Sequence, residues 1–119
     1  MSYDVMVVKF AGKRPATPLD MQAAEVTSLG AAAQVRRSIS VALPGTDWSD
    51  PTWGMFDGDG FSIEFNVGGG DPVGNIMLHL RGGGDALAAA ARLATQMGCA
   101  AIDCQTDKFL DLAAPADEG

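Results

Sequence analysis

The fold expected for this 119-residue chain is α+β, an antiparallel-rich sheet with helices packed on one face. Three observations predict it. A dense valine-rich run opens the chain. Two central stretches alternate apolar and polar residues, as half-buried strands do. Two further stretches carry helical apolar spacing or are rich in alanine. The order is strand, helices, a meander of three strands, helix, then one or two strands. This arrangement resembles an elaborated ferredoxin-like layout, with the strand order left open.

"YDVMVVKF" (3–10) is short, apolar and β-branched, so it reads as a buried strand. "AGKRPATP" follows as a loop. Residues 18–29 read as a helix with Thr17 as N-cap and Pro18 at the first helical position, although the apolar stripe there is weak. In "AAAQVRRSISVAL" (31–43), Ala31, Val35, Ile39 and Leu43 recur every four residues. That spacing makes an amphipathic helix, stopped by Pro44-Gly45.

"LPGTDWSDPTWG" then holds both tryptophans, Trp48 and Trp53, among turn-forming residues. Asp50-Pro51 suits the first two positions of a type I turn, and Asp47 or Ser49 can accept from nearby amides. Trp53 opens an alternating strand, which suits a place in the core. Trp48 falls in the turn and has no periodic reason for burial. It is a candidate interface anchor, or else half of a lid between the 31–43 helix and the sheet.

"WGMF" (53–56) and "FSIEFNV" (61–67) flank "DGDG", a hairpin signal. Phe61, Ile63, Phe65 and Val67 fall on one face, and Ser62, Glu64 and Asn66 on the other. In "VGNIMLHLR" (73–81), Ile76, Leu78 and Leu80 point inward, and Met77, His79 and Arg81 outward. Residues 86–97 read as an alanine-rich helix capped by Asp85 and ended by Gly98. Strands are expected at 100–105 and 109–112. One domain (1–112) with a loose tail (113–119) accounts for the length.

Net charge is −7 and unevenly spread. Residues 1–43 carry five basic and three acidic groups, and residues 44–119 carry three basic and twelve acidic. An acidic surface repels nucleic acid and attracts basic partners, and it also serves plain solubility. No apolar run approaches a membrane span, and Asp4 sits where a signal peptide needs positive charge, so a cytoplasmic setting is expected. Cys99 and Cys104, taken to lie on one strand, would be roughly 16 Å apart, beyond disulfide reach. They are expected to be reduced packing residues. Neither a metal site nor a cofactor is expected.

Among candidate sites, "HLRGGGDA" (79–86) has the outline of a phosphate loop, but it lacks the later glycine and the lysine, and Asp85 would repel an anion. Asp57, Asp59 and Glu64 outline a calcium loop without the EF-hand spacing, so a hairpin turn is the better reading. The outward face of the central hairpin, with Ser62, Glu64, Asn66, His79 and Arg81, and Asp103 and Gln105 from a later strand, is the strongest candidate. Glu64 could neighbour His79 across strands as an acid–base pair, or the whole face could serve as a binding surface.

The stretches "MSYDVMVV", "LPGTDWSDPTWG", "GDGFSIEFNVG", "LHLRGGGDA" and "AIDCQTDKFLD" resemble those of small bacterial proteins of the polymorphic-toxin immunity type. That resemblance implies a non-enzymatic protein that neutralises a toxin by docking on it, and it carries over no functional residues. The residues expected to meet a partner are Asp47, Trp48, Glu64, Asn66, His79 and Arg81, with no nucleic acid and no membrane involved. Two alternatives stay open. One is a small enzyme or ligand-binding domain using Glu64, His79 and Arg81. The other is a housekeeping homo-oligomer, such as a homodimer, that pairs sheet faces.

Overall fold

The computed structural model describes residues 3–21, 25–82 and 84–110. In chain order the elements are β1 (Tyr3–Phe10), a 3-10 turn (Pro18–Asp20), β2 (Val26–Thr27), α1 (Ala32–Ala42), β3 (Asp47–Asp50), β4 (Trp53–Asp57), β5 (Ser62–Asn66), β6 (Ile76–Arg81), α2 (Gly84–Gln96), β7 (Ala100–Asp103) and β8 (Lys108–Leu110). The strands form one sheet in the order β3-β4-β5-β6-β1-β7-β8, with β2 paired to the end of β1. Each adjacent pair is antiparallel. The fold is therefore α+β. Its inner four strands, β5-β6-β1-β7, with α1 and α2 as the intervening helices, follow the ferredoxin-like order. The β3–β4 pair extends that core at one edge.

The valine-rich opening run fits its place. As β1 it is hydrogen-bonded on both sides, to β6 and β7, and its far face is covered around Val8. Val5 and Val7 are buried on the helix side and Val8 on the other. The period-two pattern does the rest. Ile63, Phe65 and Val67 of the β5 region and Ile76, Leu78 and Leu80 of β6 face the helices. There they meet Val35 and Ile39 of α1 and Ala86, Ala89, Ala90, Leu93 and Ala94 of α2. Small side chains let α2 lie close on the sheet, where close packing leaves no room for larger ones.

The 18–29 segment does not form the expected helix. Thr17 does cap, with Leu19 N–H donating to its hydroxyl at 3.3 Å and Pro18 following it. The Pro18–Asp20 turn ends at Met21, which is extended (φ −70°, ψ 133°), and Val26–Thr27 pairs with β1 instead. Met21 and Val26 pack with Phe10 and Phe109 over Val8, Ala100 and Ile102. Burying those residues over the far side of the sheet outweighs a weak local helix preference.

"DWSD" is also not a turn. It is β3, an edge strand paired to β4 with a register irregularity between Asp47 and Asp50, and the turn is confined to Pro51-Thr52. Asp50 keeps its expected turn role, accepting from the Thr52 N–H (2.9 Å) and hydroxyl (2.8 Å). Asp85 lies within the first turn of α2, which starts one residue before it, at Gly84. Val73 bridges Gly30 rather than extending β6, and β7 stops at Asp103. The two cysteines are free and flank β7 rather than lying in it. Residues 111–119, including the expected tail, lie outside the described residues. No helix among the described residues is long and apolar enough to cross a membrane.

Candidate functional site

The sheet face opposite the helices has two halves. Over the Val8 end of β1, β7 and β8 it is apolar and covered by Met21 and Val26. Over β4, β5 and β6 it carries polar groups around an aromatic centre. The register sets this composition, because directly opposed residues share a face. Trp53 opposes Asn66, Met55 opposes Glu64, and Asp57 opposes Ser62. Glu64 opposes His79, Ser62 opposes Arg81, and His79 in turn opposes Asp4.

Trp53 organises this half. Its indole stacks on His79, with ring centroids 5.5 Å apart and planes 15° from parallel. Its Nε1–H donates to Glu64 Oε1 at 3.2 Å. The other Glu64 oxygen accepts from Arg81 Nη1 at 3.0 Å. His79 Nδ1 lies 2.9 Å from Asp4 Oδ1. The result is a continuous row, Asp4–His79–Trp53–Glu64–Arg81, in which each side chain fixes the next.

Glu64 and His79 are cross-strand neighbours, as expected, but they are not partners. The Glu64 carboxylate is taken up by Trp53 and Arg81, and the carboxylate at the imidazole is Asp4 from the other flanking strand. Asn66 uses its side-chain oxygen to accept from Gly68 N–H at 3.1 Å, closing the strand end. Asp103 does not join the face. It is on the helix side, 5% exposed, and accepts from the Tyr3 hydroxyl. Burial pushes its carboxyl up, but the hydrogen bonds from Tyr3, Gln105 and Thr106 outweigh that and hold it below the ordinary range. The same bond, with burial, raises the Tyr3 phenol. Burial likewise raises both thiols, which keeps Cys99 and Cys104 in the unreactive form.

Of the two readings open for Trp48, the structure shows the lid between the 31–43 helix and the sheet, while Trp53, expected in the core, lies on the outer face. Trp48 packs against the core, tilted over Phe65 at 6.3 Å, and donates from Nε1 to Ser40 of α1 at 3.0 Å. Opposite Phe65 stands Gly54, and any Cβ there would sit 2.6 Å from the Trp48 ring, so that glycine makes room for the indole. Both indoles are half-buried, and Trp53 is the one on the face opposite the helices. Asp47 is exposed, and its Oδ1 accepts from the Ser49 N–H (2.8 Å) and hydroxyl (2.6 Å). Those hydrogen bonds hold its carboxyl below the ordinary range, as the Thr52 bonds do for Asp50. Of the residues expected to meet a partner, Glu64, Asn66, His79 and Arg81 share one face, Asp47 lies at its edge, and Trp48 is on the opposite side. Trp53, Met55 and Asp4 were missed. Counting back from Phe65 across the hairpin puts Gly54 inward and Trp53 outward, a signal available once the register is known.

At the "GGGD" corner, Gly82 has φ +114°, and a Cβ there would lie 2.5 Å from the Gly60 carbonyl oxygen. The glycine serves close packing against the hairpin turn. Open surface depressions lie elsewhere, one lined by Arg14, Thr17, Lys108 and Phe109, another between the helices at Arg37, Val41 and Met97. Compared with known proteins, the chain matches no family model, no curated protein and no solved structure.

Proposed function

We propose that this protein is a non-enzymatic binding protein that docks on a protein partner through the sheet face carrying Asp4, Trp53, Met55, Glu64, His79 and Arg81. One observation carries the reading: a tryptophan held partly exposed on a sheet face and braced by His79 and Glu64. A pre-ordered aromatic with little rotamer freedom left to lose makes an effective anchor. Met55, 51% exposed, extends the apolar contact.

The immunity-type role, blocking a toxin by covering it, is the specific form proposed, in a cytoplasmic setting consistent with two free cysteines. The test is affinity capture from the organism of origin with the wild-type chain and with Trp53→Ala. A captured partner that inhibits growth when expressed alone, and is neutralised by co-expression of the wild type but not the variant, supports the role. Equal capture by both proteins contradicts docking through this face.

A second reading rests on the Asp4–His79 contact, since a carboxylate beside one imidazole nitrogen can orient the other as a general base. It requires turnover of a hydrolysable substrate panel that disappears in His79→Gln. Full retention in that variant removes it.

A further inference from the structure

Strand β4 presents Trp53 and Met55 as a short apolar ridge, and the register sets acidic groups on both sides of it. Asp50 opposes Trp53 and Asp47 opposes Met55 on β3, while Glu64 opposes Met55 on β5. Asp57 continues the outward row of β4 itself. Asp47, Asp50 and Asp57 are exposed, and Arg81 is the one Lys or Arg that the register places on these strands' outward face. Four carboxylates against one guanidinium leave the ridge in a net negative field. Such a surface is complementary to an apolar residue flanked by cations, whose stems lie along Met55 and Trp53 while their charges reach the flanking carboxylates. It repels nucleic acid and anionic bilayers.

We infer that the partner of this face is a basic protein surface, an apolar residue flanked by arginine or lysine, seated on the β4 ridge between Asp47 and Asp50 on one side and Glu64 on the other. This rests on the docking reading above and adds the chemistry of the partner to it.

The experiment is an NMR titration of the full chain with two synthetic peptides, one with leucine flanked by arginines and one with glutamates in their place. The arginine peptide shifts amides of β3 and β4, and the glutamate peptide does not. Affinity for the arginine peptide falls about tenfold between about 50 and about 500 mM salt. It falls several-fold in Asp47→Asn/Asp50→Asn, where the amide oxygen still accepts the turn bonds, and again in Met55→Ala. Equal response to both peptides, shifts centred away from β3 and β4, or no response at about 1 mM peptide overturns the inference. Lysate capture separates the two levels. Capture that survives Trp53→Ala removes the docking reading itself. Capture that is lost in Trp53→Ala but indifferent to salt and to the double asparagine variant removes only the basic partner.

Discussion

At the scale of single residues, the two tryptophans make opposite predictions. Trp48 fills space over Gly54 and Phe65 and is tied to Ser40, so Trp48→Ala removes packing and costs about 3 kcal/mol. Trp53→Ala removes a partly exposed stack and one hydrogen bond, costing about 1 kcal/mol. Chemical denaturation of both variants checks the contrast, and equal losses would refute the assignment of faces. The part-buried Tyr3–Asp103 bond carries a pH signature. Because the folded-state Asp103 carboxyl is held low, its contribution is present above the ordinary carboxylate range, about 4, and is lost as pH falls through the depressed value. Because the Tyr3 phenol is raised, its contribution is present below about 10 and is lost as pH rises through the raised value. Tyr3→Phe is therefore expected to be less stable than wild type by about 1 kcal/mol at neutral pH, with the difference shrinking toward both extremes. A difference independent of pH would contradict this account.

At the scale of elements, legibility tracked the strength of the periodic signal. The strand 3–10 and the helix 31–43 were legible to within a residue because apolar spacing and β-branching agree there. The 18–29 segment was not, because its cap and proline are local signals while its fate is decided by Met21 and Val26 covering Val8 and Ile102. "DWSD" reads as a turn because aspartate and serine dominate it, yet pairing with β4 and the contact of Trp48 with α1 make it a strand. Helix α1 shows a device no local pattern reveals. Its N-cap residue, Ala31, makes no side-chain cap, and the Ala32 N–H donates at 3.1 Å to Asp71 Oδ1 from the loop before β6. Asp71→Ala is expected to destabilise the protein by about 1 kcal/mol, and Asp71→Asn by less, since the amide oxygen still accepts. Thermal melts of the pair check it, and no loss in the alanine variant would refute the cap.

At the scale of the whole molecule, one face of the sheet builds the core and the other is divided between cover and display. Met21 and Val26 cover the apolar half over β1, β7 and β8, and the half over β4 to β6 keeps its charged row and its ridge. The polar composition of that face was legible from the alternation of 61–67 and 73–81. Its centre was not, since Trp53 is assigned to it only by the β4–β5 register and Asp4 only by the pairing of β1 with β6. Side-chain oxidative footprinting of the protein, free and bound to a captured partner, tests the central claim most directly. The account predicts that Trp53 and Met55 become protected on binding while Val41 on α1 stays reactive. Protection of Val41 with Trp53 and Met55 unchanged would contradict it.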